Sequence, residues 1–165
     1  MRMRTLTLVA AIALSASANA RAAATDAFER LQSLAGEWQA DLPGFGTLTN
    51  SIHLVSNGKA IEETIGTAAD NEVSIYTRDE RRILLTHFCA MTPDGHVARL
   101  ETDALHGAQD RLTFLFRGAS NLHSPAAPHM RRMIVTFIDN DHFSETWTKI
   151  ENGKDTVFDL QFVRQ

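Results

Sequence analysis

From Glu37 onward, apolar side chains fall at every second position in short runs, and turn-forming residues separate the runs. A period of two sends alternate side chains to opposite faces, the mark of strands with one buried face. Ten such runs can be traced: Glu37–Asp41, Thr47–Ser56, Lys59–Gly66, Glu72–Thr77, Arg82–Ala90, His96–Asp103, Asp110–Arg117, Met130–Ile138, His142–Ile150 and Thr156–Arg164. The breaks between them include Ser56-Asn57-Gly58, Thr92-Pro93-Asp94-Gly95, Asp139-Asn140-Asp141 and Glu151-Asn152-Gly153, all with turn chemistry. The longest connection is Gly118–His129, with Pro125 and Pro128. Regularly spaced short strands point to an all-β fold, a meandering antiparallel barrel or a sandwich.

One segment keeps a different period. Phe28, Leu31 and Leu34 recur at helical spacing, Asp26 can cap the start, and Gly36 is placed to stop the helix.

Residues 1–20 have the layout of a cleaved signal peptide. Arg2 and Arg4 precede a largely apolar run, Leu6 to Leu14, and A-x-A sites follow at Ala18-Asn19-Ala20 and Ala20-Arg21-Ala22. The run is shorter than the roughly 20 residues that span a bilayer, and no Cys stands near for a lipid anchor. The expectation is a barrel domain over 21–165, periplasmic or secreted, with no stable membrane anchor. That domain would carry 14 basic against 20 acidic residues, a net charge of −6. Its only clusters of adjacent cations are the pairs Arg81-Arg82 and Arg131-Arg132, so it lacks the footprint of a nucleic-acid binder. The single cysteine, Cys89, permits no intramolecular disulfide, and the fold must rest on its core.

Parity assigns the inward faces. Phe158, Leu160 and Phe162 share one face of the last strand, and Arg164 has the same parity. Ile61, Glu63 and Ile65 lie together, as do Ile83, Leu85, His87 and Cys89, and also Phe143, Glu145 and Trp147. Ser144, Thr146 and Thr148 form an opposite face that reads as solvated.

Gly36-Glu37-Trp38, after a short helix and opening the first strand, resembles the G-x-W signature of lipocalin-like barrels. The stretches "FERLQSLAGEW", "NGKAIEET", "RILLTHFCA", "DRLTFLFRGASNL", "HMRRMIVTFIDNDHFSETW" and "GKDTVFDLQFVR" resemble a family of uncharacterised bacterial exported proteins with such a barrel. The resemblance implies a single meandering antiparallel β-barrel of about ten strands, with the short N-terminal helix closing one end, Trp38 plugging that end and Arg164 lying across its indole, a contact worth roughly 0.5–2 kcal/mol. It implies no activity. A looser resemblance is to nitrobindin-type haem barrels. Those continue with glycine two residues after the Trp, where this chain has Ala40, and no haem-ligating His can be matched.

The residues able to carry chemistry are few. Glu63 and Glu145 on apolar faces are either the polar floor of a ligand cavity or members of a structural ion pair with an inward cation such as Arg132; a misassigned face is the third reading. His87 and Cys89 form an H-x-C pair that could reach one metal ion, with further ligands from His123, His129 or Glu145. Equally, they are a hydrogen-bonded core His beside a buried thiol. Asn121, His123 and His129 lie on or beside the long connection, which is a lid or an ordinary loop. Trp147 could wall a ligand or simply fill the core. His53, His96, His106 and His142 read as surface or strand-edge residues. No G-x-S-x-G turn or phosphate-binding glycine loop is present.

Three functions remain open. The leading one is a barrel binding a small, partly apolar ligand through Glu63, His87, Cys89, Asn121, His129, Glu145 and Trp147. The second is an enzyme or metal protein built on the His/Cys/Glu cluster, and the third a ligand-free structural or interaction barrel. The sequence names no cofactor. Large inward residues such as Phe143, Trp147, Phe158 and Phe162 favour a small cavity over a roomy one.

Overall fold

A computed structural model describes residues 26–67, 70–90, 96–102 and 110–165. The signal-like segment, the Thr92–Gly95 turn and His106 lie outside the described residues. Helix α1 (Ala27–Gln32) is followed by β1 (Gly36–Leu42), β2 (Gly46–Val55), β3 (Ala60–Gly66), β4 (Asn71–Asp79), β5 (Arg82–Phe88), β6 (Val97–Glu101), β7 (Arg111–Ser120), β8 (His129–Phe137), β9 (His142–Glu151) and β10 (Lys154–Arg164). Each strand pairs antiparallel with its sequence neighbours, and β10 returns to β1 through Trp38↔Arg164 and Gln39↔Val163, closing the barrel. Among the described residues every strand thus has a neighbour on both sides, the β1–β10 seam being the shortest, two residue pairs long. Among the described residues no helix is long and apolar enough to cross a membrane.

The helix forms where the sequence signals it. Asp26 accepts hydrogen bonds from the backbone N–H of Phe28 (2.9 Å) and Glu29 (3.4 Å), satisfying donors that a helix start leaves open. Its stop differs from the expectation. The helix ends at Gln32 with Ser33 as C-cap, and Gly36 is instead the first residue of β1 at φ 140°. A Cβ there would sit 2.6 Å from Arg164 Nη1. The glycine serves the approach of the guanidinium, not the end of the helix.

Phe28, Leu31 and Leu34 are buried over one end of the barrel. Beneath them Trp38 donates its indole N–H to Leu34 O (2.8 Å). Its ring meets Phe143 edge-on at 4.7 Å, and Phe143 stacks on Phe162 at 4.7 Å. These rings fill the helix-closed half.

Two face assignments change. Ser144 and Thr148 on the outer face of β9 are buried rather than solvated, and Arg132 reaches across to Thr148 Oγ1 (3.4 Å). Arg132 therefore lies outside the barrel wall and cannot pair with an inward carboxylate. An irregularity between Met130 and Arg132 in β8 lets Met130 and Met133, three residues apart, both be buried. A bulge breaks the period of two at that point.

Candidate functional site

The barrel interior holds a polar spine. On β2, Asn50 lies between Leu48 and Ile52. On β3, Glu63 lies between Ile61 and Ile65, and all six are buried. The register sets Ile52 opposite Glu63 and Glu63 opposite Ser74, and β4 adds Ser74 and Tyr76 to the same face. β5 contributes His87 opposite Ser74. β9 contributes Glu145 and Trp147.

Glu63 is fully partnered. Asn50 Nδ2 donates to Oε1 (2.6 Å) and Tyr76 O–H to Oε2 (2.5 Å). Glu145 Oε2 accepts from the Trp147 indole N–H (2.8 Å). Burial first, and then the nearby charge of Glu63, raise the Glu145 carboxyl well above its ordinary value of 4.5. A carboxyl this deep, beside another negative charge, does not ionise readily. Burial, followed by the charges of Glu63 and Glu145, likewise raises the Tyr76 hydroxyl, which keeps it a donor.

Glu63, Tyr76 and Glu145 surround only a residual void of about 10 Å³, shared with Leu31, Leu34, Ile52 and Ile61. That is at the limit for a single water. The open space lies elsewhere. A cavity of about 280 Å³ occupies the other end of the barrel, lined mostly by apolar residues that include Leu42, Leu48, Met130, Phe158 and Leu160. Trp147 belongs to its lining, Glu72 is among its polar residues, and Phe45 stands at the rim, 55 % exposed. Glu63, His87 and Glu145 thus all point inward but do not face one cavity: the carboxyls sit in the filled half, and Trp147 in the open half.

His87 lies behind Trp147. The two rings are 4.5 Å apart, and Ser74 Oγ meets His87 Nδ1 at 3.0 Å. The other nitrogen, Nε2, lies 3.4 Å from Glu72 Oε2 but without an aligned hydrogen bond, and is buried. Cys89 is buried and donates from Sγ to Glu72 Oε1 (3.3 Å).

The loop residues are placed differently. Asn121 is exposed at a turn with φ 59° and does not line the cavity. His123 is exposed as well. His129 is buried against Phe116, the ring centroids 4.5 Å apart and the planes tilted by 40°, with Nδ1 2.8 Å from Ala127 O. Only its neighbour Met130 reaches the cavity. His96, expected at the surface, is 2 % exposed.

Sequence reasoning missed Asn50, Glu72, Ser74 and Tyr76. On β4 the competing face carries Val73 and Ile75, which look more like core yet are only half-buried. The barrel buries the polar-looking set. A register built from Glu63 outward would have found it, because strand partners on one face are set by pairing.

No His is among the described residues lining the cavity. No protein-family model and no curated protein matches the chain.

Proposed function

We propose that this is an exported barrel that binds a small, partly apolar molecule in the cavity opposite the helix. The observation that carries the reading is the division of the interior. One half is packed by Trp38, Phe143 and Phe162, while the other holds about 280 Å³ of apolar-walled space ending on Trp147. A barrel serving only as a scaffold has no reason to stop packing halfway, since filling apolar space stabilises a core. Ligand sites are concave, mostly apolar and supplied with few polar groups. The volume, at the low end for such sites, suits a compact ligand. Glu72 on the wall suits one carrying a hydrogen-bond donor or a cation.

Two measurements test this. Native mass spectrometry of protein recovered from the periplasm should show a retained small molecule, and amino-terminal sequencing of the same material should start near Arg21 or Ala23. Ligand-free protein should bind the apolar probe N-phenyl-1-naphthylamine or small aromatic amines, with a change in Trp147 emission. Protein that retains no molecule and leaves every such probe unbound is a filled or structural barrel.

A further inference from the structure

We propose that Glu72, His87 and Cys89 form a binding site for one divalent transition-metal ion of zinc-like preference, set in the wall beside the open cavity. Nε2 of His87, Sγ of Cys89 and a carboxylate oxygen of Glu72 all lie within 4.8 Å of one another. Tetrahedral ligands at zinc bond lengths stand roughly 3.4–3.6 Å apart. His87 Nε2 lies 3.4 Å from Glu72 Oε2 and Cys89 Sγ 3.3 Å from Glu72 Oε1, so each stands near that spacing from its own oxygen of the one carboxylate. Binding draws the three ligand atoms, now within 4.8 Å of one another, onto one ion.

A separate observation points to a ligand at this place. The His87 side chain is 1 % exposed, and its Nε2 has no hydrogen-bond partner among the described residues while aimed at Glu72. A buried nitrogen left so costs stability. Ser74 engages the opposite ring nitrogen, which is how a hydrogen bond outside the ligand set fixes the face a histidine presents to a metal. Trp147 packed against the ring holds its plane.

Charge and softness agree. Thiolate, carboxylate and neutral imidazole around a dication sum to zero, which suits a buried site. On binding, Cys89 loses its proton to solvent and its sulfur takes the ion; no other bond changes. One thiolate with nitrogen and oxygen favours zinc-like ions over magnesium or calcium. Three protein ligands leave a fourth position, and because Glu72 and Ala90 both line the cavity, that position opens toward it. This pattern is the one found where a metal keeps an exchangeable water. The site stands on its three side chains and does not depend on what fills the cavity.

The test uses tag-free protein, treated with chelator and reductant, returned to chelator-free buffer and titrated with Co²⁺. The expected result is a thiolate-to-cobalt charge-transfer band that saturates at one equivalent and is bleached by Zn²⁺. Since Cys89 is the only cysteine, Cys89→Ser should abolish the band. Glu72→Gln should weaken Co²⁺ binding tenfold or more with an unchanged far-ultraviolet circular dichroism spectrum, and His87→Gln should do the same. Should the His87 variant fail to fold, Glu72→Gln decides, because its side chain is partly exposed at the rim. Absence of a saturable band in the wild type overturns the proposal, as does wild-type affinity in Glu72→Gln. Probe binding by the cavity is measured separately, so loss of one reading leaves the other standing.

Discussion

The guanidinium carbon of Arg164 lies 3.9 Å from the centroid of the Trp38 ring, and the same two residues are paired where the last strand meets the first. Closure of the barrel and capping of its end are therefore one event. Arg164 also donates to Ala35 O (3.1 Å), Ser33 O (3.4 Å) and Asn140 O (2.9 Å). It ties the segment after the helix to the turn between β8 and β9. Trp38→Ala is expected to cost about 3–5 kcal/mol, as for large aromatic truncations. Arg164→Met, which keeps the aliphatic stem, should cost about 1–3 kcal/mol through the lost cation contact and hydrogen bonds. Urea unfolding of both variants and the double variant should show losses that do not add, because the residues touch.

Gly36→Ala tests the close approach. The new methyl would meet Arg164 Nη1 at 2.6 Å on a backbone at φ 140°. The substitution should destabilise by more than the usual fraction of a kcal/mol for a surface change, and much of that loss should vanish in an Arg164→Met background. Equal losses in the two backgrounds would assign the whole cost to the backbone angle.

The buried Glu145 carboxyl makes stability depend on pH. The folded Glu145 carboxyl is raised above its unfolded value, so its proton is held more tightly in the folded state. The associated stability is fully present below about pH 4.5 and is lost as pH rises through the folded value. Glu145→Gln keeps an acceptor for the Trp147 indole and has no proton to lose. Its urea midpoint should exceed the wild type at pH 8, and the difference should shrink or reverse near pH 4.5.

Tyr76→Phe removes the donor to Glu63 Oε2 without opening space. A buried acceptor left short of a partner costs about 1–3 kcal/mol. Thermal or urea unfolding at neutral pH measures it. A neutral outcome would mean that Asn50 alone satisfies the carboxylate.

Leu160→Trp should fill the open half of the barrel from β10. Leu160 lines the cavity and is paired with Glu145. The variant is expected to stay folded by circular dichroism and to lose binding of N-phenyl-1-naphthylamine. Unchanged probe binding would move the ligand site out of this cavity.

The strand order, the ten strands and the capped helix were legible in the sequence, because they depend on short-range rules. Alternation marks a strand with one buried face, Asn, Asp and Gly mark the turns, and Asp26 marks a helix start. Inward Glu63, His87, Cys89, Glu145 and Trp147 followed from parity alone, whereas the meeting of Trp38 with Arg164 came from the resemblance of Gly36-Glu37-Trp38 to a G-x-W signature, joined to the parity of Arg164. Parity says which side of the wall a residue faces, but not how far along the barrel it sits or what stands across from it. Pairing register placed Asn50 and Tyr76 on Glu63 and sent Arg132 to the outside. The twist and closure of the sheet left the mouth half open while the helix half filled. Glu72 came beside His87 and Cys89 only because β4 and β5 are neighbours in that register. These are relations between residues distant in the chain, and local patterning carries no information about them until the strands are paired.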